Sequence, residues 1–190
     1  MRTRLAAFAI FMFSTLTLSA AADDDDAALW QSLATPGHVA VMRHALAPGT
    51  GDPGEFELRD CNTQRNLSAE GRAQAERIGA RFKASGITEA YVFTSQWCRC
   101  LETAELLGLG DVSELPAINS FFRRAEHRET QTSELRQWLA SRHANQPTIL
   151  VTHQVNITAL TGVFPASGEI VFIRVAENGE VSVTGTIRTD

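Results

Sequence analysis

Short apolar runs separated by breaker residues mark the strands of this chain. His38–Met42 reads as a buried strand entered through Pro36-Gly37. Tyr91–Phe93 is a second, stopped by Thr94-Ser95, and Thr148–Val151 is a third, introduced by Pro147 and running into His153. Ile170–Val175 and Val181–Ile187 flank an Asn178-Gly179 turn, the pattern of a hairpin. Helical spacing fills the gaps. Ser68 caps a helix with Glu70 in its first turn; Gly71, Ala75, Ile78, Gly79 and Phe82 share one face, and Gly86 ends it. A second helix runs from about Trp97 to Leu107 and breaks at Gly108 and Gly110. A third spans roughly Gln131–His143, with Leu135, Trp138 and Leu139 on its apolar side. Ile157, Leu160 and Thr161 suggest a short one near the end, and Leu115–Ile118 is a weaker apolar stretch. Pro48–Asp60, rich in glycine, proline and charge, reads as a surface loop. This alternation predicts an α/β fold in three layers: a mainly parallel sheet with helices on both faces and an antiparallel hairpin at one edge.

Length and composition narrow the picture. The 190 residues suit one domain, and 44% hydrophobic with 21% charged residues is an ordinary globular composition. The net charge is −5 and Lys83 is the single lysine, so a nucleic-acid partner is not expected. Arginine supplies nearly all the positive charge, and its planar fork suits phosphate. At the N-terminus, Arg2 and Arg4 precede an apolar stretch from Leu5 to Leu18 and then small residues from Ser19 to Ala22. That order is read as a signal peptide over residues 1–22, cleaved after Ala20 or Ala22 and leaving a domain over 23–190. The Asp23–Asp26 run then reads as a solvated, disordered leader. No later apolar segment is long enough to span a bilayer, so the expected location is periplasmic or secreted, with no membrane span after cleavage. Export permits a disulfide, in which Cys61 joins Cys98 or Cys100.

The chemistry gathers at strand ends. Arg43-His44 follows the first strand, Arg99 begins the helix after the second, and His153 follows the third. Loops at the carboxyl ends of parallel strands line one crevice, so these groups are expected to converge. Taken singly, a histidine after a strand is more often structural and an arginine more often a surface ion pair. Three such placements at three strand ends point to a site. Two arginines suit the oxygens of a phosphoryl group, one imidazole suits attack on phosphorus, and the other suits hydrogen bonding to it.

On these residues the chain resembles the histidine phosphatase superfamily, whose fold is phosphoglycerate-mutase-like. "VAVMRHA" resembles the R-H-G signature, "NLSAEGRAQAERIG" the L-T-x-x-G-x-x-Q-A helix start, "FTSQWCRCLETAELL" the S-S-x-x-x-R-x-x-x-T-A segment, and "TILVTHQVNITAL" the strand that supplies a second histidine. The resemblance implies a small phosphorylated substrate, a phosphohistidine formed on His44, a phosphate clamp of Arg43, Arg99 and His153, and neither metal nor organic cofactor. Ala45 stands in place of the signature glycine. Gln154 follows His153 where one branch has an acid, and "LPAINSFFRRAEHRET" lacks the W-E-G pattern of another. The acid for the leaving group is therefore unassigned, with Glu126, Glu129, Glu55 and Asp60 as weak candidates beside Glu57.

Arg123-Arg124 reads as a surface pair bridging to Glu126 and Glu129 rather than as a second anion site, and Arg65 is open between the two. His38, His127 and His143 read as structural or surface residues, and Phe121 and Phe122 as core. Two rivals stand beside the phosphatase. One is an exported phosphate- or phosphosugar-binding protein of the same fold with little turnover. The other is a metallohydrolase using His44 and His153.

Overall fold

A computed structural model describes residues 19–142 and 145–189. Most of the expected signal segment and His143 therefore lie outside the described residues. Six strands form one sheet: β1 (His38–Arg43), β2 (Tyr91–Thr94), β3 (Val112–Glu114), β4 (Thr148–Thr152), β5 (Ile170–Val175) and β6 (Val181–Ile187), in the order β3-β2-β4-β1-β5-β6. The pairs β3/β2, β2/β4 and β4/β1 are parallel. The β5/β6 hairpin closes the edge antiparallel to β1. This is the expected sheet with one addition. Strand β3 is only three residues long and carries one half-buried apolar residue, Val112, too little for a pattern of period two.

Among the described residues, five helices cover the two faces: α1 (Ser19–Ser32), α2 (Ala69–Ala84), α3 (Cys98–Leu107), α4 (Arg128–Ala140) and α5 (Gln154–Thr161). Alternate residues of β1 divide the core between them. Ala40 and Met42 pack with Trp30, Ile78, Phe82 and Leu107 under α1, α2 and α3. Val39 and Val41 pack with Leu135, Leu139, Ile157 and Leu160 under α4 and α5. Fully burying each of the larger ones, such as Met42, Ile78 or Leu135, contributes roughly 1.5–3 kcal/mol.

Helix α1 corrects one expectation. Asp23–Asp26 lie inside it rather than in a disordered leader. Its last turn is docked, with the Trp30 ring edge-on to Phe82 at 4.8 Å and to Phe172 at 5.3 Å, and Asp26 pairs with Arg81 at 3.4 Å. A docked turn removes the cost of helix nucleation, and the helix then extends through residues of weak propensity. Among the described residues no helix is long and apolar enough to cross a membrane.

Two glycines of α2 set the positions of the elements around the cleft. A Cβ on Gly79 would stand 2.2 Å from the carbonyl oxygen of Leu107, and one on Gly71 would stand 2.0 Å from that of Leu46. Helix α2 thus meets the end of α3 and the chain after His44 backbone to backbone.

Candidate active site

The carboxyl ends of the parallel strands open into a cleft of about 720 Å³. Arg43 is the last residue of β1, and the amide of His44 donates to the Thr152 carbonyl at 2.9 Å, locking the ends of β1 and β4 together. The amide of Ser95 does the same between β2 and β4, donating to Val151 at 3.0 Å. Arg43, His44, Arg99 and His153 all line the cleft, so the four residues predicted to converge are brought together.

The tautomers of both histidines follow from their neighbours. His44 Nδ1 lies 2.8 Å from the Ala45 carbonyl oxygen, which only accepts, so Nδ1 carries the proton and the lone pair sits on Nε2. Around His153 the reasoning starts one residue further out. The amide of Gln96 donates to Asn119 Oδ1 at 2.9 Å, fixing that atom as the oxygen. Ser95 Oγ then donates to Asn119 Oδ1 at 3.2 Å and accepts from His153 Nε2 at 2.8 Å. The lone pair of His153 is thereby on Nδ1.

Both lone pairs face one edge of one guanidinium. Arg99 Nε donates to His44 Nε2 at 3.2 Å, and Arg99 Nη2 to His153 Nδ1 at 3.4 Å. The other edge is held by Asp52, with Nη1 to Oδ1 at 2.7 Å and Nη2 to Oδ2 at 3.2 Å. Nη1 also donates to the Arg65 carbonyl at 3.2 Å. Arg99 and Asp52 side chains are 3% and 8% exposed, which makes this a buried, bidentate ion pair. Trp97 Nε1 and the Arg65 amide add hydrogen bonds of 3.1 Å each to the same carboxylate. Arg43 donates through Nη1 to the Pro165 carbonyl at 3.0 Å, and its Nε is buried with no hydrogen-bond partner.

Charge follows the geometry. Burial, and then the Arg99 guanidinium, hold both His44 and His153 well below the usual histidine pKa, so both rings are neutral. For Asp52 burial pushes upward, but the hydrogen bond and charge of Arg99, with the Arg65 and Trp97 N–H groups, outweigh it and hold the carboxyl below its ordinary value. Burial lowers Arg43 and Arg65, with Arg99 adding repulsion. Burial also pushes the thiol of Cys100 up to about 12. It packs 3.5 Å from His153 Nε2 as a neutral group.

Asp52 was invisible to pattern reading. It sits in a Gly-Asp-Pro turn of a loop without periodicity, 47 residues from its partner. The one usable signal was indirect: an arginine held in the floor of a crevice needs a counter-charge. The acid candidates do not reach the cleft. Asp60 caps the short 3-10 turn Cys61–Thr63, accepting from the Asn62 amide at 3.0 Å. Glu55 and Glu129 are exposed outside the lining, as is Glu126, which sits 3.8 Å from His127. These carboxylates stand on turns and helix surfaces where solvation, not the cleft, sets their place.

The arginine pair also departs from expectation. Arg123 and Arg124 line the cleft with His127 and Phe122, and Arg123 donates to the Pro53 carbonyl at 3.2 Å and to that of Asp52. Neither is paired with Glu126 or Glu129. Phe122 is 53% exposed, a wall of the cleft rather than core, whereas Phe121 is buried as expected. Of the two pairings left open for Cys61, the one formed is Cys61–Cys98, and Cys100 is free and buried.

Residues 39–120, which hold Arg43, His44 and Arg99, match the family model of the histidine phosphatase superfamily (branch 1). Over those residues the chain is similar to the histidine phosphatase superfamily. The phosphoglycerate-mutase-like fold is shared with solved structures of that superfamily. The protein histidine phosphatase SixA complexed with tungstate is 16% identical with a TM-score of 0.57, over 80% of this chain and 97% of that one. A phosphoserine phosphatase from Entamoeba histolytica in complex with 3-phosphoglyceric acid is 12% identical with a TM-score of 0.55, over 80% and 98%. A mycobacterial glucosyl-3-phosphoglycerate phosphatase is 15% identical with a TM-score of 0.53, over 72% and 92%. At these identities the likeness is one of fold. No curated protein sequence matches the chain. In this fold the chain places its two imidazoles and Arg99 at the carboxyl ends of β1, β4 and β2, in one crevice of the sheet.

Proposed function

We propose that the protein is an exported phosphatase that works without a metal ion, through a phosphohistidine on His44. The observation that carries this reading is the convergence of two neutral imidazole nitrogens on the Nε–Nη2 edge of Arg99. A phosphoryl group entering between them meets a nucleophile, His44 Nε2, and a ready fork of donors. Attack by Nε2 forms the N–P bond while the leaving group departs with its electron pair. Arg99, the Arg43 guanidinium, and His153 Nδ1 once the bound dianion has drawn a proton onto it, stabilise the charge spread over the phosphoryl oxygens. Water then attacks phosphorus, and the N–P electrons return to Nε2. The charge is met by guanidinium groups already lining the cleft, which supports a reaction independent of metal.

Export is supported by the charged, apolar and small-residue order of residues 1–22, and by the Cys61–Cys98 disulfide, a bond favoured in oxidising compartments. The test is hydrolysis of an aryl phosphate in excess chelator by the parent and by His44→Ala. The parent is expected to turn over and the variant to be silent; equal activity in the two would sink the assignment of the nucleophile.

One observation favours the rival reading of a phosphate-binding protein where the leaving group is a simple alcohol. Asp52 is the one carboxylate among the described lining residues, and Arg99 holds both its oxygens. An alkoxide leaving without a proton leaves slowly.

A further inference from the structure

Among the described residues, five guanidinium groups line the cleft: Arg43, Arg65, Arg99, Arg123 and Arg124. One carboxylate stands against them, and it is committed to Arg99. Arg65 donates to the carbonyls of Gly51, at 2.7 Å, and of Ala47, and Arg123 to those of Pro53 and Asp52. Carbonyl oxygens satisfy donors but do not cancel a full charge. Arg43 is in the same state, and the Arg124 side chain makes neither hydrogen bond nor ion pair among the described residues, its hydrogen bonds being those of its backbone. His127 lies at the same wall, 3.8 Å from Glu126. A bound phosphoryl dianion offsets two of these charges and leaves the mouth of the cleft positive, in a chain whose net charge is −5.

The second observation concerns protons. No carboxyl group in the lining is free to protonate a leaving oxygen, since Asp52 is held ionised in its ion pair. The Cys100 thiol lies buried behind His153. An aryloxide or an imidazole would leave without an acid, but neither would use the surplus positive charge. A phosphate leaving group satisfies both conditions.

From these two observations we infer that the substrates are phosphoanhydrides, terminal diphosphates whose leaving phosphate is received by Arg124, Arg123 and Arg65. This rests on the phosphatase reading above. His44 Nε2 attacks the terminal phosphorus, and the anhydride P–O bond breaks with its electron pair passing to the bridging oxygen. A phosphate monoester is released as an anion that needs no proton. Water cleaves the N–P bond, giving inorganic phosphate and one proton to solvent.

The test compares methyl diphosphate with methyl phosphate as substrates, and methylenediphosphonate with methylphosphonate as non-hydrolysable ligands in calorimetry. The parent should show kcat/KM about 100-fold higher for the diphosphate and bind the diphosphonate at least about tenfold tighter, as one added charge-assisted contact implies. Arg124→Gln should lower both preferences by about tenfold, and Arg124→Lys should restore part of them. Equal kcat/KM for the two esters, or equal affinity for the two phosphonates, overturns the inference. Turnover of an aryl phosphate with no diphosphate preference overturns it alone. No turnover of any of these substrates overturns the phosphatase reading, and the reaction inferred here with it.

Discussion

Asp52 grips Arg99 by two oxygens on its Nη1–Nη2 edge, and so turns the Nε–Nη2 edge toward both histidines. The carboxylate stays off the edge that faces the imidazoles and holds the arginine that presents it. Replacing Asp52 with Ala leaves a buried guanidinium unpaired and should destabilise the fold by about 3–5 kcal/mol, read by urea denaturation. Asp52→Asn, which keeps the shape but not the charge, should lower kcat/KM on an aryl phosphate by about tenfold or more while the protein stays folded. Parent-like kinetics in the Asn variant would remove Asp52 from the machinery.

The two histidines should separate in a rapid-quench experiment with labelled substrate. The parent should accumulate an acid-labile phosphoenzyme, and His44→Asn should form none. His153→Asn should still form it, more slowly by about 10²–10³-fold, because it loses a donor to the phosphoryl oxygens but not the nucleophile. Labelling of His44→Asn at the parental level would place the covalent step elsewhere.

Burial and Arg99 lower the pKa of His44 and of His153, and the sign of the pH dependence follows. His44 stays neutral below the ordinary histidine value of about 6.5, so the acid limb of kcat/KM should fall below that pH. Stability has the same direction. Between the lowered folded pKa and about 6.5 the unfolded chain binds more protons than the folded one, so stability rises with pH up to about 6.5 and is lost as pH falls below it. A kcat/KM profile rising through pH 7 or above would contradict the buried, neutral nucleophile.

The disulfide ties the loop that carries Asp52 to the residue before Arg99, across a separation of 37 residues. Reduction, or Cys61→Ser, should cost about 2–4 kcal/mol of stability and loosen Asp52 from Arg99, raising KM. Thiol titration should find no reactive group in the native oxidised protein, since Cys100 is buried with its pKa pushed up to about 12. Denaturation should expose one thiol, and reduction after denaturation should expose three. One rapidly reacting thiol in the native state would refute that arrangement.

Gly79→Ala tests the support of Arg99 from behind. Its Cβ would force α2 and the end of α3 apart, so both stability and aryl phosphatase activity should fall. The same change at Gly86, where no atom stands within 4 Å of the added Cβ, should cost stability through its left-handed backbone (φ +87) with smaller loss of activity. Equal activity losses at the two positions would show that the close packing is not what matters.

How much of this was legible in the sequence follows from the range of the forces involved. The strands ending in Arg43, Thr94 and Thr152, the α2 face from Gly71 to Phe82 and the β5/β6 hairpin are written in local periods and turn residues, because a strand or helix face repeats every few positions. From these a mainly parallel sheet, and with it the meeting of His44, Arg99 and His153 at its strand ends, could be read; the order of the strands could not. Other features had no local mark. Asp52 against Arg99, Cys98 rather than Cys100 in the disulfide, Arg123 and Arg124 turned to the cleft, and Glu126, Glu129, Glu55 and Asp60 left out of it were decided by where irregular segments pack. The sequence by itself determined which arginines and histidines would meet at the strand ends. Only the tertiary structure decided which charges were cancelled, because the burial and distance that set an ion pair exist only once segments far apart in the chain have met.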